Sequence, residues 1–299
     1  MPPRTELAMG TWVTIRVLPS GEEVCAALDR AFGWFHEVEK HCTRFDPDSE
    51  LRRLSTQPGV AVPVSTILFE AVQFGLMVAD ATGGAFDPTM GRLMESRGFD
   101  RHNGSGAMPS SVVTSEHEAS YRDVELDPER QAILLRRPLT LDLGAVAKGL
   151  AIDAAARELT VFRDFVIDAG GDLYLGGRNE QGAPWGVGIR HPGAGEGLIA
   201  SLRVSDRAVC TSGGYERPSP RASHGEHHIV DPRTGVSPRD TASATVVAPG
   251  AMLADALATA AFVLGPKAGI DLLRCCGVDG LIVSRDFQLH QTRELFDAA

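Results

Sequence analysis

Residues 249–266 read PGAMLADALATAAFVLGP, and one carboxylate, Asp255, stands in the middle of this apolar run, with Thr259 four residues on. Pro and Gly at both ends with good helix formers between them predict a helix, which places the two side chains on one face. A buried ionised carboxylate is unfavourable unless it is paired or coordinates a metal. A carboxylate and a hydroxyl one turn apart suit a hard cation with oxygen ligands. They leave room for carbonyls, water and a substrate phosphate, as Mg²⁺ is usually held. The alternative, equally open on spacing alone, is an aspartate bonded to nearby backbone or to an arginine.

Other segments carry weaker signals. In LTLDLGAVAKGLAID (139–153) a strand ends at Asp142, Gly144 allows a tight turn, and a helix begins near Ala145 with Lys148 in its first turn. Free amides at a helix start beside a lysine make an anion site. The spacing is neither a Walker loop nor GxGxxG, and on this segment alone a plain strand–turn–helix with Asp142 as cap and Lys148 in solvent is the better reading. In ATGGAFDPTMGRL (81–93) two glycines admit close approach of a ligand, and Asp87-Pro88 fixes an extended turn, but on this segment alone a helix C-cap followed by an Asx turn is the better reading. In GEHHIVDPRTGVSP (225–238) His228 leads into a turn, and an imidazole titrates near neutrality, as a general base must. Paired histidines are more often at a surface or in a satisfied hydrogen bond. The Gly-rich turns of FVIDAGGDLYLGG (165–177) and VCTSGGYER (209–217) line a pocket or are ordinary hairpins; their residues do not choose.

The elements that must position these groups follow from periodicity. Residues 11–18 alternate as a strand, and Val24, Leu28, Ala31, Phe35, Val38 and Cys42 form one stripe of a helix over 22–42. A turn at Asp46-Pro47 precedes a short helix capped by Asp48 or Ser49. A helix over 65–81 follows, and the Gly-, Ser- and His-rich stretch 98–120 reads as a mobile excursion. Strands are expected at 132–143, 164–176, 185–190, 198–204, 208–212, 227–230 and 243–248, with helices at 145–159, 250–264 and 266–275 and a hairpin at 280–290. Hairpin-linked strands mixed with helices indicate an α+β fold, with largely antiparallel sheets and packed helices. The chain reads as one continuous unit, 1–299, with two lobes.

Composition narrows the function. The 299 residues carry 29 Lys and Arg against 39 Asp and Glu, a formal charge of −10. That argues against wide nucleic-acid contact, which needs a basic surface. No apolar run in the sequence is expected to reach the ~18–20 residues of a membrane span. The first residues show no signal core or lipid-anchor cysteine, so the expected location is the cytoplasm; a chain with its export signal removed would look the same. The five cysteines lack CxxC spacing and read as reduced thiols.

Taken in order, the segments resemble the ApbE family of flavin transferases. The resemblance runs from Met9-Gly10-Thr11 through T-x-F-x-P-D-S-E-L (43–51), GGAFDPTMG (83–91), DLGAVAKGLAID (142–153), IDAGGDLYLGG (167–177), TSGGYER (211–217), HHIVDPRTG (227–235) and ADALATA (254–260). It implies transfer of FMN from Mg²⁺-bound FAD to a Thr or Ser hydroxyl of an acceptor flavoprotein, with AMP leaving. By position it implies Asp255, Thr259 and the main-chain oxygen of Ala145 as metal ligands. Met9, Phe45, Ala85, Phe86, Asp87, Asp142, Lys148 and Ile229 are the implied FAD contacts, and His228 the group that activates the acceptor hydroxyl. The sequence departs from the pattern at Ala258, where some relatives have an acid, at Phe45, where many have Tyr, and at Gly214, where a polar residue is common. Two other activities remain open at this level: a Mg²⁺-dependent FAD pyrophosphatase yielding FMN and AMP, and a non-catalytic FAD-binding protein.

Overall fold

In the computed structural model, residues 2–18, 21–99, 119–193, 195, 197–215 and 226–298 are described. The chain opens with β1 (Arg4–Ala8) and β2 (Thr11–Val17), then α1 (Glu22–Cys42), α2 (Glu50–Ser55), β3 (Ala61–Pro63), α3 (Thr66–Ala81) and α4 (Gly91–Ser96). Next come β4 (Val124–Asp127), β5 (Ala132–Leu135), α5 (Gly144–Leu159), β6 (Phe165–Ala169), β7 (Asp172–Gly176), β8 (Trp185–Arg190), β9 (Leu198–Val204) and β10 (Arg207–Gly213). The chain closes with β11 (Thr241–Ala248), α6 (Ala251–Cys275), β12 (Asp279–Ser284), β13 (Leu289–Gln291) and β14 (Asp297–Ala298).

An eight-stranded sheet, ordered β1-β2-β6-β7-β10-β11-β12-β13, forms the centre, and each neighbouring pair is antiparallel. The period of two along its strands sorts side chains to opposite faces. On one face Ala208, Cys210, Val246, Ala248 and Ile282 join the core that α1, α3, α5 and α6 complete. On the other, Val209, Val247, Leu281 and Val283 pack against Trp185, Val187, Ile189 and Leu202 of the small β14-β9-β8 sheet and against Phe296, which precedes β14. A third sheet, β3-β5-β4, is also antiparallel. The α+β, antiparallel expectation therefore holds.

Helices α5 and α6 cross at Gly149, where a Cβ would lie 2.4 Å from Met252 Cα and 2.6 Å from the Ala251 carbonyl carbon. Only a glycine admits that approach. The start of α6 is capped from α5, since Asp153 Oδ1 accepts from Ala251 N (2.6 Å) and Oδ2 from Met252 N (3.0 Å). A carboxylate at a helix N-terminus satisfies orphan amides and complements the dipole.

Several sequence expectations need correction. The strand expected at 132–143 ends at Leu135. Pro138 offers no amide to a ladder, and beyond it the chain bonds to the 88–91 turn instead, with Gly91 N donating to Thr140 O (3.1 Å) and Asp142 N to Pro88 O (2.7 Å). Residues 227–230 are not a strand: Ser237 Oγ donates to His227 O (3.0 Å) and accepts from His227 N (3.2 Å), so a side chain takes the place of a ladder. Helix α6 joins the two helices expected at 250–264 and 266–275, leaving helical geometry at Gly265 (φ 82°) before Pro266. By length and composition α6 does reach what a membrane span needs, against expectation. It is a core helix nevertheless, packed on α5, β10, β11 and β12. Of the two suggested caps for α2, Ser49 is the one used, accepting from Arg52 N at 3.1 Å. Strands β1, β3, β4 and helix α4 were not expected, and of the 98–120 excursion residues 100–118 lie outside the described residues.

Candidate active site

Every residue that the resemblance implies as a metal ligand, FAD contact or catalytic group borders one cavity of about 330 Å³. Its rim is made by two tight hairpins. The β1–β2 turn at Met9-Gly10 has positive φ at both residues (53° and 72°), the mirror-image turn that matches strand twist. Met9 N donates to Glu39 Oε2 (2.9 Å), which fixes this turn on α1. The β6–β7 turn at Gly170-Gly171 also has positive φ (65° and 94°), and a Cβ on Gly170 would lie 2.3 Å from Thr11 Oγ1. The two turns thus touch, and bring Met9 to the same wall as Asp172, the first residue of β7.

A second wall comes from the 82–91 and 140–145 turns, tied together by the Gly91–Thr140 and Asp142–Pro88 bonds. Asp87 Oδ1 accepts from Thr89 N (2.8 Å) and Thr89 Oγ1 (2.6 Å), and Oδ2 from Tyr121 N (3.1 Å). Burial still pushes its pKa up, since three donors only partly offset desolvation. Asp142 Oδ2 accepts from Arg44 Nε (2.9 Å) and Oδ1 from Gly144 N (2.9 Å). Arg44 is nearly fully buried and lies 4.2 Å from the centroid of the Phe45 ring, a cation–π contact. Ala85 and Phe86 are buried, as is Ile229 beside His228. The His228 ring lies edge-on to Phe99, with centroids 6.4 Å apart.

At the base stand the charges. Asp255, 7% exposed, takes a hydrogen bond from Lys148 Nζ at 3.2 Å, and Lys148 is paired more closely still with Asp172, 5% exposed. Asp172 Oδ1 also accepts from Thr211 N (3.0 Å). One turn along α6, Thr259 Oγ1 shares a hydrogen bond with Ser212 Oγ (3.0 Å). Ala145 departs from helical geometry (φ −94°, ψ 16°) at the start of α5, which turns its carbonyl off the helix axis. Asp255 is therefore neither solvated nor bound to an arginine; a lysine ammonium lies between two buried carboxylates.

Among the described residues five carboxylates line the cavity (Glu39, Asp87, Asp142, Asp172 and Asp255) against Lys148 and Arg44. An anionic ligand meets repulsion there unless a cation accompanies it. The donors at the base, a carboxylate, a hydroxyl and a main-chain carbonyl, are all oxygens and fit a hard divalent cation. Among the described residues no group of three His, Cys, Asp or Glu side chains is placed to hold a metal alone. A cation here would draw on Asp255, Thr259 and Ala145 together with ligand oxygens.

Sequence reasoning missed Asp172, Arg44 and Ser212. Asp172 lies inside the Gly-rich stretch IDAGGDLYLGG (167–177), where an aspartate opening an apolar strand is the available signal. Arg44 had none, because a lone arginine after a helix reads as solvated. Ala258 is fully buried in the core, so an acid there would sit without solvent. Gly214 underlies the His227 ring, which a Cβ would meet at 2.8 Å.

Fold and site together define an antiparallel-sheet α+β protein with an acid-lined cleft whose floor sets oxygen donors beside a lysine. The sequence profile of the ApbE family matches residues 9–282. The FAD:protein FMN transferase of Treponema pallidum (strain Nichols) is 34% identical over 323 aligned residues, covering 98% of this chain and 87% of that protein. The protein of the same name from Haemophilus influenzae is 27% identical, covering 88% and 81%. The crystal structure of the ApbE protein from Thermotoga maritima has a TM-score of 0.86 at 28% identity, over 100% of this chain and 99% of that one. The chain belongs to the ApbE family, and it is an enzyme of the transferase class.

Proposed function

We propose that the protein moves FMN from FAD to a Ser or Thr hydroxyl of an acceptor polypeptide, releasing AMP, with Mg²⁺ at the base of the cleft. The observation that carries this reading is the Lys148–Asp172–Asp255 cluster beside Thr259 on the floor of a cleft whose lining also includes the apolar side chains of Phe45, Phe86 and Met9. The apolar side suits a flavin ring, and the charged floor suits a diphosphate.

Phosphoryl transfer depends mainly on positioning and charge neutralisation. The cation, when bound on Asp255, Thr259 and the Ala145 carbonyl, supplies Lewis acidity and a template for the diphosphate oxygens. Lys148, already a full charge within reach, neutralises the phosphate oxygen that gathers negative charge as AMP leaves. His228 takes the proton of the acceptor hydroxyl; that oxygen bonds to the FMN phosphorus, and the bond from this phosphorus to the bridging oxygen breaks, with the electron pair leaving on AMP. Arg44 holds Asp142 and the Phe45 ring in place rather than touching the reacting atoms.

Incubation with FAD, Mg²⁺ and acceptor proteins bearing an exposed Thr should give a covalently fluorescent acceptor with the mass of one added FMN unit. No adduct over a panel of acceptors, with FMN and AMP released instead, would make the protein a pyrophosphatase. FAD binding with no turnover at all would make it a flavin carrier.

A further inference from the structure

A second cavity opens beside the first, bordered by Pro192, Tyr215, His227, Pro238, Arg239 and Arg285. The two share a wall. Ser212 of β10 and His228 face the main cleft, while Gly214 and His227, two and one residues away, border the second cavity. The wall is firmly built: His227 Nε2 lies 3.3 Å from Pro238 O, Ser237 clamps the His227 backbone, and the ring packs edge-on to Phe262 at 5.4 Å. Arg285 N donates to Asp240 O (2.9 Å), so the turn after β12 and the entry to β11 are joined, and each brings an arginine to the border of this cavity.

Both arginine side chains are exposed, and among the described residues neither has a carboxylate within ion-pairing distance. Asp286, next to Arg285, is engaged by Ser284 Oγ at 2.6 Å. Among the described residues no carboxylate borders this cavity, in contrast to the five in the main cleft and to a chain of net charge −10. Unpaired guanidinium groups recognise carboxylates by paired hydrogen bonds. The remaining surface, two prolines and a tyrosine on an open groove, suits an extended polypeptide.

Building on the transferase reading above, we propose that this groove docks an acidic, extended segment of the acceptor polypeptide, so that a Ser or Thr next to that segment crosses the shared wall to His228. The acidic net charge of the chain disfavours a nucleic acid as the occupant.

The test uses the full chain with FAD and Mg²⁺ and two labelled synthetic peptides of equal length. Each has one central Thr, flanked on both sides by Asp in one and by Lys in the other. Binding is read by fluorescence anisotropy at low salt, and flavin transfer by mass. The acidic peptide should bind about tenfold more tightly than the basic one, and Arg239→Glu with Arg285→Glu should reverse that order, as reversal of two rim charges does. FAD binding, read from flavin fluorescence, should be the same in wild type and double variant, and the neutral pair Arg239→Gln with Arg285→Gln should fall between. An unchanged preference in the charge-reversed variant, or no binding of the acidic peptide at about 1 mM, overturns the docking. If the acidic peptide binds through the arginines yet receives no flavin, the docking stands and the transferase reading fails. If both proteins flavinylate the peptide equally well, the transferase reading stands and the docking fails.

Discussion

Asp255 is held by Lys148, and Lys148 is held in turn by Asp172, so the three must be understood together. With both carboxylates present, the ammonium has a closer partner than Asp255, and Asp255 retains oxygen capacity for a cation. Asp172→Asn leaves Asp255 as the only full negative charge beside the ammonium, which then competes with the incoming metal. Mg²⁺ or Mn²⁺ affinity, measured by calorimetric titration, should weaken about tenfold, about 1.4 kcal/mol. Unchanged affinity would show that Asp172 serves only the backbone of Thr211. Asp255→Ala removes the carboxylate ligand itself: metal binding should vanish from the titration, and flavin transfer should fall by at least about a hundredfold, the usual effect of deleting a charge that stabilises the transition state. At this scale the sequence was informative where a residue type conflicted with its surroundings. Asp255 in an apolar helix announced itself, whereas Arg44 is typical of a surface and became visible only once its guanidinium was seen buried against Asp142 and Phe45.

Among the elements, α5 and α6 decide the geometry of the site, because Lys148 rides on one and Asp255 on the other. Their crossing passes over Gly149, and Gly149→Ala would drive a methyl group into the backbone of Ala251 and Met252. The helices must separate, so stability should drop by about 1–3 kcal/mol in urea unfolding, with a loss of metal affinity that a remote destabilising change would not produce. The α2–α3 connection offers a pH test. Partial burial raises the Glu50 pKa, but bonds from the Ser65 hydroxyl and amide and from His41 outweigh it and hold the group below its ordinary 4.5. A lowered acid pKa contributes stability that is present in full above the unfolded value and is lost as pH falls through the folded one. Stability should therefore decline below about pH 4.5 in wild type, and Glu50→Gln should lower it by about 1–2 kcal/mol at neutral pH while flattening that acid limb. Helices and hairpins with strong periodicity were legible: α1, α3 and the paired runs at 279–291 follow their apolar patterns closely. The 136–143 and 227–230 runs were misread because both are apolar and extended, yet Pro138 and the Ser237 clamp send their backbone bonds away from any ladder. Short strands such as β3 and β4 carry too few residues for alternation to show.

The molecule as a whole concentrates acid where its ligand must bind. With five carboxylates around the cavity and a net charge of −10, FAD brings two more negative charges into an already negative field. Lys148 and Arg44 offset this only in part, since each is also paired with aspartate. Cation and dinucleotide should therefore bind interdependently, each raising the affinity for the other by the same factor. The measurement is thermal unfolding with FAD alone, Mg²⁺ alone and both. A ligand at a hundred times its Kd stabilises the folded state by about 2.7 kcal/mol, which at an unfolding entropy of about 2.1 cal/mol/K per residue raises the Tm of a chain of this size by about 4 °C. FAD with Mg²⁺ should give that shift, FAD with EDTA much less, and Asp255→Ala should respond to FAD identically with and without the metal. An equal shift from FAD in EDTA and in Mg²⁺ would mean that the cleft tolerates the diphosphate unaided, and the acids around it would then need another purpose.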